Sequence, residues 1–574
     1  HSMEDAGYTR DKLSKYKTGV YVGVMYGHYQ MYGVEESMRG NVLAVGSNFS
    51  SIANRVSYFL NLNGPSMAID TMCSSSLTSI HLACESIRHG ECDMAFAGGV
   101  NLSLHPNKYI LLSQSKFMST DGRCRSFGEG GDGYVPGEGV GSILLKSLDR
   151  AIEDGDYIYG VVKATALNHG GKTNGYTVPN PNAQTEVIKE ALRKAQIHPE
   201  EISYMEAHGT GTALGDPIEI LGMANAFEGA DFKKMHCSVG SVKSNIGHLE
   251  SAAGIAAVTK VLLQMKHRML VPSIHSATLN PNIDLSNTPF TIQQSLEAWE
   301  QPEVERNGIY QKVPRCAGIS SFGAGGSNAH VIIQEWEETK KELKRKEEYL
   351  FVLSAQNEDR LKEYAKKVQA YLESFCQKKS VVEECTICDA KEAILQQLVE
   401  HVAKLQDMEP EQIELGISIL EMGLDTYQLQ MFFEELQERY QVKMEAEMEH
   451  FSMTQLADMI SQNRRIQPKQ VTAEIVQEDV AADFDLDTFV YTYQVGREVM
   501  DERLACVIHN VPELMEKLNQ YINGVKAEQL YHGNVRTNRE RVSLILDSGE
   551  IGKRFMQELV MKSKRDRELL VFWN

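Results

Sequence analysis

Four short runs that are apolar at nearly every position, Gly19–Gly23, Met67–Ile69, Met94–Ala97 and Ser142–Leu145, alternate with helical patterns in residues 19–335. A strand that is apolar on both sides needs cover on both sides, so these runs predict a sheet buried between helices. The fold class expected is α/β, with layered helices and sheets. At 574 residues the chain exceeds one ordinary core, and several domains are expected.

The net charge of -20 argues against a nucleic-acid binder, which would carry a basic face, and fits a self-repelling, soluble surface. No apolar run reaches membrane-spanning length, so no membrane partner is expected, and no signal peptide is read at the start. Ten cysteines are scattered rather than spaced as a disulfide framework, which points to a reducing cytoplasm. Cys385 and Cys388 have the spacing of half a zinc or redox site. No second pair follows at a metal-binding interval, and no metal is expected.

Beyond residue 335 the pattern changes. The charge run Glu338–Glu348 reads as a solvated segment. An amphipathic helix follows, with Leu361, Tyr364, Val368, Tyr371 and Phe375 expected on one face. Residues 384–463 read as a separate small helical domain. One stripe there is Ile394, Leu395, Leu398, Val402 and Leu405, and another is Leu429, Phe432, Phe433, Leu436 and Tyr440. Residues 464–483 read as a linker, and residues 484–574 resume an α/β pattern.

The sharpest local feature is Asp70-Thr71-Met72-Cys73-Ser74-Ser75-Ser76. A strand runs into it and a helix leaves it, with Leu77, Ile80, Cys84 and Ile87 on one face and Gly90 as a stop signal. Cys73 therefore falls at a helix start, where the helix dipole and free N–H groups favour thiolate and predict a lowered thiol pKa. A buried structural cysteine is the competing reading, and on Cys73 alone the two are even. Two histidines stand in loops of small residues, each after a predicted strand: Glu206-Ala207-His208-Gly209-Thr210-Gly211-Thr212 and Lys243-Ser244-Asn245-Ile246-Gly247-His248-Leu249-Glu250. A lone histidine in such a loop is more often structural. Two of them together with a cysteine at a helix start fit an acyl-transfer site.

With these motifs stand Cys124-Arg125-Ser126-Phe127, Asp132 to Gly139, and the run Gly318 to His330. Together they resemble the ketosynthase domains of type I modular polyketide synthases, in the thiolase-like superfamily. The runs Gly99 to Tyr109 and Gly171 to Asn180 resemble the subtype served by a separate, trans-acting acyltransferase.

The resemblance implies a five-layered αβαβα thiolase-like fold over residues 1–335, a homodimer, and a role in antibiotic or other polyketide biosynthesis. Cys73 would take an acyl chain from an upstream acyl carrier protein. A malonyl-type extender on a downstream carrier would lose its carboxylate, and the enolate would attack the Cys73 thioester in a decarboxylative Claisen condensation. His208 and His248 would stabilise the enolate. The backbone N–H groups of Cys73 and Ala324 would hold the thioester oxygen, and Lys243 would orient and polarise. Glu250, Asn328 and Phe322 would support the site. For Lys243 a buried salt bridge is an equal alternative. His81, His105 and His330 are read as structural. The ketosynthase would bind no cofactor, its substrates riding on the phosphopantetheine of carrier partners.

Three departures from that pattern carry expectations of their own. The chain starts late in the ketosynthase pattern, so either a shortened chain or a split enzyme is expected, the latter with a separate chain supplying the opening segment. The flanking linker domain (336–383 and 484–574) is expected to be interrupted by residues 384–463. That insertion resembles an acyl carrier protein at Glu421-Met422-Gly423-Leu424-Asp425-Thr426, where Thr426 replaces the serine that receives the phosphopantetheine arm. Its extra methyl favours a docking or structural module over a true carrier. Two other functional readings remain: a non-elongating ketosynthase that passes acyl chains on, and an incomplete ketosynthase acting as a docking scaffold.

Overall fold

A computed structural model describes residues 1–229, 236–306, 309–337, 346–382 and 484–537, with scattered residues of 395–436 and 451–462. The Cys385/Cys388 pair, Thr426, Ile394, Tyr440, the segment 464–483 and most of the charge run after Glu337 lie outside the described residues.

The chain divides into two compact units: residues 1–343 with 495–498, and residues 344–494 with 499–574. The first unit is organised by two sheets. One has four strands in the spatial order Ser66–Ile69, Thr18–Gly23, Met94–Asn101, Gly139–Lys146. Its first three strands run parallel and the last antiparallel. The other has six strands in the order Val161–His169, Ser327–Gln334, Cys316–Phe322, Tyr204–Glu206, Cys237–Gly240, Phe290–Ile292.

The two central strands of the first sheet, Thr18–Gly23 and Met94–Asn101, are buried almost throughout. The two outer ones are not: Met67 is exposed, and Ser142–Leu145 is exposed or half-buried. The apolar runs at these edges are therefore covered less completely than the sequence pattern predicts, because an edge strand has a neighbour on one side only.

Between the sheets lie the helices Ser75–Arg88 and Ala253–His267. Leu77, Ile80, Val258 and Val261 join Tyr21 and Ala95 of one sheet to Ile319 and Val331 of the other in a single core. The helices Pro181–Ala195 and Gly215–Ala226 pack a second core on the far face of the six-stranded sheet. Tyr8, Leu13 and Ala53 cover Val20, Met94 and Phe96 on the far face of the other. Helix, sheet, helix, sheet, helix is the five-layered thiolase-like arrangement. Gly90, with φ at +71°, ends the helix that begins at Ser75, as the stop signal implies.

The second unit holds a three-stranded antiparallel sheet, Tyr349–Ala355, Glu502–Ile508 and Leu530–Asn534. Its core draws on both sides of the segment 384–463: Phe351, Leu361 and Val368 pack with Leu486, Leu504 and Leu514. Described residues of 395–457, among them Leu398, Val402, Phe432 and Leu456, form a core of their own. On the helix Glu358–Val382 the buried stripe is Leu361, Ala365, Val368 and Leu372. Of the expected face, Leu361 and Val368 are buried and Tyr364 and Phe375 half-buried, while Tyr371 points outward at 54% exposure. The steps of four, three and four keep the small and aliphatic side chains inside, and the bulkier Tyr371 falls outside that arc. Leu504 is fully buried, and Leu504→Ala is expected to lower the unfolding free energy by about 2–5 kcal/mol, measured by chemical denaturation.

Candidate active site

The strand Ser66–Ile69 leads into a tight turn that serine hydroxyls hold together. Ser74 Oγ donates to the Thr71 carbonyl at 2.8 Å, and Ser75 Oγ donates to the Met72 carbonyl at 2.6 Å while accepting the Thr71 N–H at 2.9 Å. Met72 takes a left-handed φ of 57°. This turn sets Cys73 two residues ahead of the helix Ser75–Arg88, where it lines a cavity of about 690 Å³ with His208, His248, Phe322, Ala324 and Asn328.

Each histidine is fixed by its loop. The strand Tyr204–Glu206 ends just before His208, whose backbone N–H donates to Glu219 Oε1 at 2.6 Å. The Gly209 N–H donates to the other oxygen of the same carboxylate at 2.8 Å. Glu219 thus clamps the turn on which His208 sits. Burial lifts its carboxyl to about 7, against the pull of those N–H donors, and lifts the neighbouring Asp216 to about 6. His248 follows Gly247, whose φ of +78° and approach to the Val135 carbonyl leave no room for a side chain. The His248 N–H donates to the Val135 carbonyl at 2.7 Å, and the Gly137 N–H donates to the His248 carbonyl at 2.8 Å. The segment Asp132 to Gly139 is therefore the rail on which His248 is mounted.

The protonation pattern follows from hydrogen bonding. The Glu250 N–H donates to His248 Nδ1 at 3.0 Å. A backbone N–H can only donate, so Nδ1 accepts and Nε2 carries the ring proton. Among the described residues His248 Nε2 and His208 Nδ1 are buried without a hydrogen-bond partner. Burial, and then the charge of Lys243, hold both imidazoles well below their usual range, so both are neutral near pH 7. Sγ of Cys73 and a ring nitrogen from each histidine all lie within 4.8 Å of one another. The set is soft enough in kind for a metal, but the proton on His248 Nε2 makes that nitrogen a donor rather than a ligand.

Burial pushes the Cys73 thiol up to about 12. The charge of Glu250 adds to the rise, while Lys243 and the N–H groups of Ala324 and Cys73 pull it down. The helix-start argument predicts a lowered value; the thiol is buried, and desolvation outweighs the dipole. Cys73 is therefore expected to alkylate with iodoacetamide about tenfold faster per pH unit up to pH 10. A plateau near pH 8.5 in a mass-spectrometric time course would contradict this.

The N–H groups of Cys73 and Ala324 both pull the thiol's pKa down, and the resemblance implies that they hold a thioester oxygen. Ala324 stands in the turn between the strands Cys316–Phe322 and Ser327–Gln334, closed by the Gly323 N–H on the Ser327 carbonyl. The Phe322 ring lies 5.9 Å from that of His208, and Asn328 donates to Asn168 Oδ1 at 2.9 Å. Lys243 is buried, which lowers its pKa, and the nearby Glu206 and Glu219 charges oppose that shift. Glu250 pairs with Lys108. His330 shares a hydrogen bond with Ser320, His81 with Thr165 and His105 with Glu35, all outside the cavity.

Sequence reasoning did not single out Glu219 as the residue that holds His208. Its signal was available: acids at 216 and 219 sit one turn apart at the start of a helix, directly after a glycine-rich loop full of unpaired N–H groups.

Comparison with known proteins agrees with this arrangement. Residues 1–151 match the β-ketoacyl synthase N-terminal domain, residues 159–277 its C-terminal domain, and residues 280–392 the ketoacyl-synthetase C-terminal extension. Residues 470–525 match the RhiE-like KS-MAT linker domain. The chain is 46% identical over 563 residues to the polyketide synthase PksL of Bacillus subtilis, covering 96% of this chain and 10% of that protein. It is 58% identical over 372 residues to ThaG of Burkholderia thailandensis, covering 63% of this chain and 6% of the relative. The chain thus spans a tenth or less of these curated relatives. Among solved structures, the oxazolomycin ketosynthase domain KS7 of Streptomyces albus is 41% identical with a TM-score of 0.67, over 93% of this chain and 73% of that one. The ketosynthase from module 6 of the Bacillus subtilis bacillaene synthase is 32% identical with a TM-score of 0.70, over 100% and 78%. With two histidines and a cysteine on one cavity, in a five-layered fold, the chain belongs to the ketosynthases, the β-ketoacyl synthases of modular polyketide synthases.

Proposed function

We propose that Cys73, His208 and His248 carry out a decarboxylative Claisen condensation. The observation that carries this reading is their convergence within 4.8 Å on a single cavity. In loading, the Cys73 thiol attacks a carrier-bound thioester. His248 Nδ1 accepts the Glu250 N–H and Nε2 already bears the ring proton, so His208, with Nδ1 unpaired, is the ring free to take the thiol proton. The departing pantetheine thiolate takes that proton back, and loading is proton-neutral.

In condensation the extender loses CO2, and the enolate oxygen accepts from neutral N–H groups of His208 and His248. Its carbon attacks the Cys73 thioester, whose oxygen sits on the N–H groups of Cys73 and Ala324. Collapse expels the Cys73 thiolate, which a solvent proton neutralises. Lys243 acts by charge, and Phe322 and Asn328 shape the wall.

The partners follow from that chemistry: acyl carrier proteins upstream and downstream, with phosphopantetheine as the arm, and a trans-acting acyltransferase that charges the extender carrier. We place the enzyme in the cytoplasm as a homodimer. Among the described residues no helix is long and apolar enough to cross a membrane. The segment 384–463, with 17 acidic and 4 basic residues, reads as a carrier-like docking module.

The presence of both histidines speaks against a non-elongating enzyme, and the assembled cavity speaks against a scaffold. The test is CO2 release from malonyl-pantetheine by the acyl-loaded chain. Release in step with β-ketoacyl thioester formation supports elongation; loading without release supports simple acyl transfer.

A further inference from the structure

Behind the cavity wall lies a buried charge pair that the mechanism above does not use. Glu250 and Lys108 are both wholly buried, with Nζ 2.5 Å from Oε2. They are 142 positions apart in the chain, and neither lines the cavity. The same carboxylate gathers three more donors: Asn101 Nδ2 on Oε2 at 3.0 Å, and the hydroxyls of Tyr134 and Tyr26 on Oε1 at 3.2 and 3.3 Å. Lys108 also donates to Asn101 Oδ1 at 3.1 Å, and its ammonium lies 4.6 Å from the centre of the Tyr26 ring.

Two routes lead from this carboxylate to His248. The Glu250 backbone takes a left-handed φ of 47°, a conformation that a residue with a Cβ adopts at a cost. In that conformation its N–H reaches His248 Nδ1. The second route runs through Tyr134, whose hydroxyl is held by Oε1 and whose ring packs edge-on against the imidazole at 4.7 Å. One carboxylate thus holds both the group that fixes the tautomer of His248 and the ring that fixes its plane.

Resting on the reading of His248 as an enolate donor, we infer that the Glu250–Lys108 pair is a positioning device for His248. It keeps Nε2–H aimed into the cavity. Lys108 supplies the positive charge that compensates a carboxylate buried behind the nucleophile. Both residues are positioning residues, since neither touches the reacting atoms. A buried ion pair is seldom kept for stability alone, because well-packed apolar residues serve as well.

The test replaces the pair together, so that no unpaired charge is left inside. Lys108→Met/Glu250→Leu removes the acceptor for Tyr134 and Tyr26. Lys108→Met/Glu250→Gln keeps an acceptor without charge. Two rates are compared in each variant: Cys73 loading from an acyl thioester, and decarboxylation of malonyl-pantetheine. For the Leu pair, the ratio of decarboxylation kcat to loading rate is expected to fall about tenfold or more, with KM for the malonyl thioester within about twofold. The Gln pair is expected to restore most of that ratio.

An equal loss of both rates would make the pair merely structural, and an unchanged ratio, or a Gln pair no better than the Leu pair, would also overturn the inference. If the Leu pair does not fold, Tyr134→Phe carries the test, with a selective fall in decarboxylation expected and an unchanged ratio overturning it. His248→Ala is measured alongside. If it leaves decarboxylation intact, the reading of His248 fails. If it abolishes decarboxylation while the pair variants behave as wild type, only the positioning inference fails.

Discussion

With Cys73 replaced by Ala, the chain takes up no acyl group from a short acyl thioester, and intact mass shows the unmodified protein only. The loss is complete rather than graded because the sulfur is the atom that forms the bond. The other cysteines among the described residues do not substitute for it. Cys92, Cys124, Cys237, Cys316 and Cys506 are buried outside the cavity lining, and Cys84 is half-buried, nine positions along the helix Ser75–Arg88 and not in that lining. The variant should fold, since Cys73→Ala removes one sulfur from a site open to a cavity and leaves the Ser74 and Ser75 hydrogen bonds that hold the turn. An adduct that persists at wild-type level in Cys73→Ala would remove the cysteine from the mechanism.

His248→Ala is expected to slow malonyl decarboxylation by about 10²–10³, equivalent to about 2.7–4 kcal/mol, the usual cost of one preorganised donor to a developing oxyanion. Loading should suffer much less, because the free nitrogen of His248 is a donor and takes no proton from the thiol. His208→Ala should differ in kind: it removes both an enolate donor and the ring free to accept the thiol proton, so loading and decarboxylation fall together. Rates of the two half-reactions, measured separately in each variant, check this asymmetry. Equal effects of the two substitutions on loading would contradict the proton assignment.

The parts of this site that sequence revealed share a local signature. Cys73, His208 and His248 each follow a short strand within a run of small residues, and that juxtaposition lies within a few positions of the chain. The layered architecture was legible for a similar reason, because an apolar run between helical patterns carries its burial requirement in its own composition. What stayed hidden depends on partners far away in sequence. Glu250 finds Lys108 and Tyr26 only once the two sheets have closed around their shared helices. The thiol of Cys73 shows the same limit: its position at a helix start is local, but the desolvation that raises its pKa comes from the whole surround. On the helix Glu358–Val382 the expected face is the one that packs, except at Tyr371, because Tyr371 and Leu372 are equally apolar to a sequence pattern and differ only in what they meet.

The central claim, that one cavity both accepts an acyl chain on Cys73 and condenses it with a malonyl unit, is tested most directly by intact-protein mass spectrometry in two steps. The chain is first loaded from an acyl thioester, and excess reagent is removed. Malonyl-pantetheine is then added. The account predicts a single acyl adduct on the Cys73 peptide, discharged by malonyl-pantetheine with matching β-ketoacyl-pantetheine and CO2. An adduct that forms on Cys73 but survives the malonyl chase unchanged would contradict it.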